Sequence, residues 1–409
     1  MKILFLLTQD LESPSGLGRY YPLARELVRL GHQVTIAALH SNYPSIKNHR
    51  LEIEGVHVRY VGPMHVKKIG NVKRYYATSK LILLVTYATF RLTLTALYIK
   101  ADITFICKPH PMNSIAGFIA KLLKKTRILF LDVDDYESAS GNFADKIQLN
   151  IMKIFENKVP KYVDKITTNT YFMKNKLISW GISPDKIVYL PNGVDLDRFP
   201  SPSSQSITKI KKDLGIINKK VIGYIGSMSL SNHSIELLME AFSEILKQRL
   251  DVILLMIGGG EDFEKLIEKA HMLKIENNII FTGKIPPERV YLYYHICNVT
   301  VDPAIDDDAC RARSPLKLFE SLACGVPIVT TNVGDRAINL QSYKEKLLIS
   351  TVDKFSLAKK IIDIIGDNNL CQQIKKQTKS NRKEYSWENI VKHFYYNYLY
   401  YYNSISSKL

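Results

Sequence analysis

Residues 311–329, with the sequence RARSPLKLFESLACGVPIV, combine positive charge, a helix start and a carboxylate in one short stretch. Ser314 and Pro315 are typical of a helix N-terminus, with Ser314 as the capping residue and Pro315 at the first helical position. Lys317 and Glu320 then share one face of the helix. A helix N-terminus with a lysine suits a diphosphate, and a carboxylate one turn later suits a ribose or sugar hydroxyl. An ordinary capped helix with a solvated Lys–Glu pair is the alternative.

A second group of polar residues follows two predicted buried strands. Asp132 and Asp134 come directly after the strand 128–131, and His110 follows the strand 103–107. Because parallel strands end at the same edge of a sheet, we expect these side chains to face a cleft. The carboxylates would bind hydroxyl groups of a ligand, and His110 would donate a hydrogen bond or relay a proton. Solvated loops are the alternative for both groups.

The elements that position these residues follow a strand–helix alternation, which predicts an α/β fold with parallel doubly wound sheets. A chain of 409 residues is too long for one typical core, so we expect two domains. The alternation restarts after a turn segment at 190–195 and a Pro/Ser-rich stretch at 199–206. We therefore predict a first domain at 1–195, a second at 196–386, and a terminal helix at 387–409. Two such domains imply a ligand cleft between them.

The formal net charge of +17 favours an anionic partner such as a nucleotide or a membrane surface. Basic residues are dense at 66–127, where Asp102 is the sole acidic residue. Within this region the apolar stretch 81–99 nearly reaches membrane-spanning length, but Arg91 lies in its middle. We expect a helix packed in the core beside a basic surface that contacts anionic lipid; a plain solvated surface is the alternative. No nucleic-acid-binding module is recognisable, so we predict no nucleic-acid partner.

The remaining composition favours a cytosolic protein, with peripheral attachment to the inner face of the membrane as an option. Its five cysteines are scattered and form no C-x-x-C pair, which suggests a reducing compartment. The first residues, MKILFLL, are too short for a secretory signal and predict a buried strand. The aromatic run at 394–402 fits either packing on the first domain or a membrane interface, and packing is the favoured interpretation.

In order and spacing, several motifs resemble the retaining glycosyltransferases of family 4, which have the GT-B fold of two facing Rossmann-like domains. The resemblance covers nearly the whole chain and is carried by the following segments: PSGLGR at 14–19, GHQVT at 31–35, LPNGVD at 190–195, IGYIGS at 222–227, MIGGGE at 256–261, FTG at 281–283 and SWE at 386–388. It implies transfer of a sugar from a nucleotide sugar, with the nucleotide on the second domain and the acceptor on the first. The glycines at 258–260 suit either a phosphate loop or a tight turn.

The chain departs from the family pattern in the donor region. Ala312 stands where the first of two glutamates is expected, although Glu320 matches the second. Ser227 replaces an expected arginine, and residues 232–234 replace an expected lysine. We therefore expect Lys317, with Arg311 or Arg313, to bind the diphosphate. The acidic run 306–308 either substitutes for the missing glutamate or is a solvated loop.

The resemblance and the residues together predict a UDP- or GDP-sugar donor, a lipid-linked or polysaccharide acceptor, and no cofactor. Asp132 and Asp134 have the spacing of a D-x-D metal site, but the fold requires none and we predict no metal. An epimerase on the same fold and a degenerate carbohydrate-binding subunit are the rival functions. The predicted donor-binding residues are Gly16, Gly18, Ser227, Gly283, Arg311, Arg313, Ser314, Lys317, Leu318 and Glu320.

Overall fold

The computed structural model describes residues 1–69, 72–140, 143, 145–230 and 233–400. Two parallel sheets, each covered by helices on both faces, form two α/β domains that face one another. The predicted fold class, two Rossmann-like domains in the GT-B arrangement, is confirmed. The strands are near-continuous apolar runs, which is typical of parallel strands because helices bury them on both faces.

The first domain contains an eight-stranded sheet in the order β10-β9-β8-β7-β1-β2-β4-β3, in which only the β3–β4 pair is antiparallel. A separate hairpin pairs β5 with β6. The strands are β1 Lys2–Leu7, β2 Gln33–His40, β3 Arg50–Ile53, β4 Val56–Pro63, β5 Val66–Ile69, β6 Val72–Tyr75, β7 Ile103–Cys107, β8 Ile128–Val133, β9 Lys165–Thr168 and β10 Ile187–Tyr189. The helices are α1 Tyr21–Arg29, α2 Thr78–Ile99, α3 Pro111–Leu122, α4 Glu137–Ser140, α5 Lys146–Tyr162 and α6 Tyr171–Ser179.

The second domain contains a six-stranded parallel sheet in the order β13-β12-β11-β14-β15-β16. Its strands are β11 Lys220–Ile225, β12 Val252–Ile257, β13 Ile279–Gly283, β14 Val299–Asp302, β15 Ile328–Thr331 and β16 Leu348–Ile349. Its helices are α7 Ser204–Asp213, α8 Ile235–Leu246, α9 Phe263–Met272, α10 Val290–Ile296, α11 Asp308–Ala312, α12 Leu316–Ala323, α13 Arg336–Leu340, α14 Lys344–Leu347, α15 Lys354–Gly366 and α16 Asn368–Asn381. A last helix, α17 Trp387–Phe394, follows.

Each sheet has one point at which the direction of winding reverses. In the first sheet β1 lies between β2 and β7, and in the second β11 lies between β12 and β14. Successive strands are added outward on both sides of these points, so the loops after β1 and β11 diverge from their neighbours and leave a crevice. Ligands of open α/β sheets bind in such crevices, beyond the carboxyl ends of the strands.

The helix α17 belongs to the core of the first domain although it follows the second in sequence. Trp387, Val391 and Phe394 are buried in that core, and the Trp387 indole N–H donates a hydrogen bond to the Gly18 carbonyl at 3.0 Å. The two chain crossings between the domains also pair with one another. The Val194 N–H donates to the Tyr385 carbonyl at 2.8 Å, and the Trp387 N–H donates to the Val194 carbonyl at 3.1 Å.

The helix at 78–99 differs from the expectation of a core helix. One side, with Ala88, Leu92 and Ala96, packs on the first domain. The opposite side exposes large apolar side chains, including Leu83 at 72% and Tyr98 at 74%. Within the described residues, Ser79–Ile99 is the one helix whose length and composition would allow it to cross a membrane, and 22% of its apolar window is buried. The expectation is wrong for the outer side because the stretch is apolar all round, whereas the sheet covers only one side.

The helix α3 also begins earlier than the predicted helix at 117–123. Pro111 occupies its first turn, where a proline is tolerated because the N–H of that position has no helical partner. Gly117 lies inside the helix, packed against Ile106 of the neighbouring strand. This earlier start places His110 at the N-terminal boundary of the helix.

Candidate functional site

The crevices of the two domains face each other across a cavity of about 310 Å³. Loops from both sheets line it, including the turn after β1 and the turn after β11. The structure therefore brings together predicted residues that are far apart in sequence. Those lining the cavity are Gly18, Asp134, Ser227, Arg313, Ser314, Lys317 and Glu320.

The segment before α12 differs from the predicted helix start. Helical structure begins at Leu316, the boundary position is Pro315, and no side chain caps the helix. The capping role predicted for Ser314 is wrong because the extended backbone of Pro315 places Ser314 one residue too early. The Ser314 hydroxyl is instead buried without a hydrogen bond within the described chain, while its carbonyl accepts from the Asn192 side chain at 2.8 Å. The Leu318 N–H donates to the Pro315 carbonyl at 3.2 Å, so this hydroxyl and the two earlier amides of α12 remain for solvent or a ligand.

Lys317 places a buried positive charge in the cavity wall. Its Nζ lies 3.4 Å from the Asp302 carboxylate and 4.5 Å from the centre of the Tyr224 ring, but forms no hydrogen bond in the described structure. Burial lowers the pKa of Lys317 although Asp302 opposes this. Asp302 has a second partner, Arg336, whose Nε donates to it at 2.8 Å. The lysine is therefore not needed to neutralise Asp302 and has donors left for an anion.

Glu320 lies one turn further along α12 and also lines the cavity. The Tyr294 hydroxyl donates to its carboxylate at 2.7 Å, which fixes the side chain. Burial raises the pKa of Glu320, although Tyr294 favours the ionised form. A fixed carboxylate at this depth is suited to accept hydrogen bonds from a pair of neighbouring hydroxyls.

His233 occupies the wall where the family resemblance leads one to expect a lysine. Its backbone N–H donates to the Ser229 carbonyl at 3.0 Å, and its ring lies beside Tyr224. Burial, together with the charge of Lys317, holds the pKa of His233 well below its usual range, so the ring is neutral at pH 7. Asn232 of the same segment lies outside the described residues. The positive charges on the second-domain side of the cavity are therefore those of Lys317 and Arg313, and Arg198 is a further lining residue.

Asp132, predicted to face the cleft, lies beneath it. Its carboxylate is 1% exposed and receives two hydrogen bonds from Arg19, at 2.8 and 2.6 Å, and one from Thr167 at 2.5 Å. Arg19 also donates to the Asn192 side chain at 2.8 Å. The predicted position of Asp132 is thus wrong, because a bidentate arginine from α1's preceding turn uses both of its oxygens. Asp132 instead anchors Arg19, which lines the cavity.

Asp134 does reach the cavity, as part of a charged group around Lys108. The Lys108 Nζ lies 3.0 Å from Asp134, 3.1 Å from Asp135 and 2.6 Å from Glu137. Lys108 is 3% exposed and has a positive φ of 71°, which is uncommon for a lysine. Burial raises the pKa of Asp134 to about 7, with Lys108 opposing the shift and Asp135 adding to it.

His110 lies behind this group and does not line the cavity. Its Nδ1 is 2.7 Å from the Thr8 hydroxyl, and its Nε2 is 3.4 Å from Glu137. His110 is therefore linked to the cleft through Glu137 and Lys108. A ligand in this cavity would therefore not touch His110 directly.

The carboxylates of Asp134, Asp135 and Glu137 lie close enough together to ligate a metal ion. The ammonium group of Lys108 lies between them, with hydrogen bonds to Asp135 and Glu137 and an ion pair with Asp134 at 3.0 Å. Asp132 and Asp134, which have D-x-D spacing, do not converge, since Asp132 is turned toward Arg19. The residues of this group thus already contain the positive charge that a metal would supply.

Four predicted donor residues lie outside the cavity wall. Arg311 pairs with Asp306 at 2.7 Å on the surface, and Leu318 is fully buried in the second core. Gly16 packs directly against the Asp10 carbonyl, and its N–H donates a hydrogen bond to the Ser13 hydroxyl at 3.2 Å. Gly283 has a positive φ of 67°, and its carbonyl accepts a hydrogen bond from the Gly258 N–H at 3.0 Å. Their predicted direct contacts with a donor therefore have no support in this geometry.

Two glycines allow close approaches that shape the cleft. A Cβ at Gly18 would collide with the end of the Leu316 side chain, so a larger residue at position 18 would require Leu316 at the start of α12 to move. A Cβ at Gly258, whose φ is +136°, would collide with the Gly226 carbonyl. Of the two interpretations of the glycines at 258–260, the tight turn is the one that fits, because these glycines pack on the backbone after β11.

Some lining residues were not predicted from the sequence. Arg19, Asn169, Asn192 and Arg198 all line the cavity. Asn192 lies in the LPNGVD segment, and Arg19 ends the PSGLGR segment, so these two residues could have been predicted from their motifs. Asn169 and Arg198 belong to no pattern, and only the folded chain brings them to the cleft.

Two family models match the chain in succession. Residues 16–198 match the model described as Glycosyltransferase Family 4, and residues 206–381 match the model described as Glycosyl transferases group 1. The two matched segments correspond to the first and second sheets, and together they contain every residue that lines the cavity except Pro14 and Ser15.

Named proteins are similar to the chain at moderate identity. A D-inositol 3-phosphate glycosyltransferase of Corynebacterium jeikeium is 26% identical over 58% of this chain and 57% of its own length. An alpha-monoglucosyldiacylglycerol synthase of Streptococcus pneumoniae is 25% identical over 50% of each chain. The chain thus spans about half the length of these curated relatives. Among solved structures, Anabaena HepE in complex with UDP and glucose aligns over 100% of both chains with a TM-score of 0.72 and 18% identity.

Proposed function

Because the chain belongs to the family 4 glycosyltransferases, we propose that it transfers a hexose-type sugar from a UDP- or GDP-sugar to a lipid-linked or polysaccharide acceptor, with retention of configuration. The observation that carries the proposal is the cavity between the two switch points, where Lys317, Ser314 and Glu320 lie together on one helix start. A nucleoside diphosphate would find here a positive charge and unused hydrogen-bond donors for its phosphates, and a fixed carboxylate for its ribose, all within two turns of helix.

In the proposed complex the second domain binds the nucleotide. Lys317 and Arg313, with the Ser314 hydroxyl and the first-turn amides of α12, bind the diphosphate. Glu320 accepts hydrogen bonds from the ribose hydroxyls. As the sugar–phosphate bond breaks, negative charge grows on the diphosphate, and Lys317 already stands in a water-poor wall where it stabilises that charge. Ser227 contributes through the turn after β11, which lines the same cavity.

The first domain would bind the acceptor and the transferred sugar. Asp134 is the carboxylate that reaches the cavity, and Lys108 holds it in place. We propose that Asp134 binds hydroxyl groups of the sugar or the acceptor. Asp132 and His110 lie behind it and would not touch the substrates. No protein nucleophile is needed if the departing phosphate accepts the proton of the acceptor hydroxyl, as the family resemblance implies.

Two further observations support the substrate classes. The HepE structure, which shares the fold, is described with UDP and glucose, and the Streptococcus relative is named for a glycolipid product. The exposed apolar side of α2 lies in the basic region 66–127, which suits contact with an anionic bilayer. We therefore place the enzyme in the cytoplasm, on the inner face of the membrane, where it would meet a lipid-linked acceptor.

Lys317→Ala and Glu320→Ala test the donor assignment. We expect each variant to lose roughly 100- to 1,000-fold in kcat/KM, because removal of one charge-stabilising group from a closed site costs that much. Both should stay folded. Asp302 keeps Arg336 after loss of the lysine, and loss of the carboxylate leaves the buried Tyr294 hydroxyl without its acceptor, at a cost of about 1–3 kcal/mol. Arg311→Ala is the matched control, because Arg311 pairs with Asp306 outside the cavity.

The measurement is release of nucleoside diphosphate from a panel of nucleotide sugars, with and without acceptor, beside thermal-shift assays of the same donors. Near-normal turnover in both cavity variants contradicts the assignment. Release that does not depend on acceptor would favour a hydrolase or epimerase. If no nucleotide sugar raises the melting temperature of the wild type, a carbohydrate-binding subunit without transfer activity is the better description.

A further inference from the structure

A groove between α3 and α5 lies on the outer surface of the first domain, away from the donor cavity. Its volume is about 610 Å³. The side chains that form its floor and walls are Phe118, Leu122, Ile154, Phe155, Val159 and Tyr162, and Lys121 and Lys158 lie at its rim. A groove lined by apolar side chains and edged by two ammonium groups is suited to a ligand with an apolar chain and an anionic head.

The groove continues into an apolar stripe along α5. Ile147 is 64% exposed, Ile151 43%, Ile154 58% and Tyr162 71%. Their spacing follows the helical repeat, so all four lie on one side of the helix. Across the groove, Leu122 of α3 is 79% exposed. Single exposed apolar residues are ordinary, but a contiguous patch of this kind marks an interaction surface.

The charges around the stripe are mostly positive. The basic residues of α5 and of the end of α3 are Lys146, Lys153, Lys158, Lys161, Lys121, Lys124 and Lys125. The one carboxylate within α5, Glu156, is 1% exposed and turned inward, where it accepts hydrogen bonds from the N–H groups of Glu137 and Ser138. Asp164 pairs with Lys121 at 2.7 Å. The surface of α5 is therefore apolar and cationic, the combination that binds anionic lipid.

The position of the groove distinguishes between two sources of an apolar chain. The cavity lies beyond the carboxyl ends of the strands, which is the end of the sheet at which α3 starts, at Pro111. Phe118 is seven residues further along, which is about 10 Å at the rise of an α-helix, and Leu122 is further still. The groove thus opens toward the opposite end of the sheet. A lipid of the bilayer reaches it more directly than the tail of an acceptor whose head occupies the cavity.

We propose that this groove takes one acyl chain of an anionic membrane phospholipid, with Lys158 and its neighbours against the head group. The site adds α5 to the membrane contact, beyond the region 66–127, and rests on the membrane association proposed above. Because α3 packs against α2 on one side and against α5 on the other, the exposed side of α2 and the groove belong to one helical layer. A second copy of the chain is a poorer occupant, because two such cationic faces would repel each other.

Ile154→Glu and Leu122→Glu test the groove in co-sedimentation with vesicles of phosphatidylglycerol and phosphatidylcholine. Both residues are exposed, so the fold should be unaffected. We expect binding to weaken about tenfold or more for each, because an apolar contact is replaced by a charge that anionic lipid repels. Leu250→Glu in the second domain is the matched control, since Leu250 is 76% exposed and far from this layer. Its binding should stay within twofold of the wild type.

A second measurement reports insertion directly. In Ile154→Trp, fluorescence of the new indole should be quenched by phospholipids with brominated acyl chains, whereas the two native tryptophans, Trp180 and Trp387, provide the wild-type background. Absence of additional quenching would overturn the proposal. It would also be overturned if Ile154→Glu bound vesicles like Leu250→Glu while Phe90→Glu on α2 lost binding, or if the wild type were a dimer that Ile154→Glu dissociates. The thermal-shift assay with nucleotide sugars needs no vesicles. A failure of the transferase proposal would therefore be seen independently of the vesicle-binding results.

Discussion

The two walls of the cleft use their charges in opposite ways. On the first domain, Lys108 is surrounded by three carboxylates and Asp132 is bound by Arg19, so the charged groups neutralise one another. On the second domain, the Ser314 hydroxyl is buried without a hydrogen bond within the described chain, and the Lys317 ammonium, 3.4 Å from Asp302, forms no hydrogen bond there either. Buried polar groups with unused hydrogen-bonding capacity cost free energy, and a fold retains them where a ligand uses that capacity.

This difference indicates a division of labour. The first wall is a rigid scaffold whose shape is set by its internal ion pairs, and the second is a preformed binding surface that is completed by its ligand. Removing a charge from the first wall should therefore reduce stability. Removing a polar group from the second should chiefly reduce donor binding.

The strongest test of the scaffold is Lys108→Met. Loss of the ammonium leaves the buried Asp134 and the partly exposed Asp135 and Glu137 without their shared cation, and breaking a buried ion pair on one side costs about 3–5 kcal/mol. We expect a loss of this size in the free energy of unfolding, measured by urea denaturation at pH 8. Part of it should return at pH 5, where the carboxylates can take up protons.

Lys247→Met is the matched control for this change. Lys247 pairs with Glu244 at 2.6 Å, but its side chain is 66% exposed, and exposed pairs contribute at most about 1 kcal/mol. A small effect at both positions would mean that the first wall is not held by its ion pairs, and the comparison of the two walls would fail.

A smaller effect is expected for Glu156→Gln, as a function of pH. Burial raises the pKa of Glu156 to about 7 from an ordinary value of 4.5, so the folded state holds the proton more tightly than the unfolded state. Wild-type stability should therefore fall relative to the glutamine variant as pH rises from about 4.5 to 7, by up to about 3 kcal/mol. Denaturation at pH 4.5, 6 and 8 measures this. A gap that does not change with pH would show that Glu156 is ionised throughout.

The smallest expected effect compares two buried hydroxyls. Thr167 donates to Asp132 at 2.5 Å, whereas the Ser314 hydroxyl has no hydrogen bond in the described structure. Thr167→Ser keeps the hydroxyl, Thr167→Ala should cost about 1–2 kcal/mol, and Ser314→Ala should leave stability within about 0.5 kcal/mol or raise it. Ser314→Ala should instead weaken binding of the donor, measured by calorimetry. Equal losses of stability at Ser314 and Thr167 would remove the distinction between the walls.

The fold could be predicted from the sequence because both domains follow the same periodic pattern of strands and helices. Apolar runs of strand length alternate with amphipathic segments, and the chain must bury both against one another. The same rules failed for α2, whose residues are apolar on every side. Composition indicates that such a helix is buried, but whether protein or another environment covers its outer side depends on the neighbouring elements.

Site residues could be predicted where a motif fixed the backbone, as for Gly18, Lys317 and Glu320, which all reach the cavity. The predictions failed where a distant partner decided the orientation of a side chain. Asp132 and Asp134 differ by two positions in one segment, yet only Asp134 reaches the cavity, because Arg19 holds Asp132 below it. A partner close in sequence has the same effect on Arg311, which pairs with Asp306 on the surface, whereas Arg313 lines the cleft. Neither choice follows from the strand–helix pattern, because each depends on which side chains pair in the folded chain.

The pairing of the two interdomain crossings at Val194 and Ser386 has a mechanical consequence. Two separate tethers would allow the domains to slide and twist, but two segments hydrogen-bonded side by side act as one hinge. Rotation about that line changes the width of the cleft without shearing one wall along the other. The indole of Trp387, bonded to Gly18, fastens this hinge next to the point where the first domain touches the start of α12. A rotation of the domains about this single hinge would therefore conserve the alignment of the two walls.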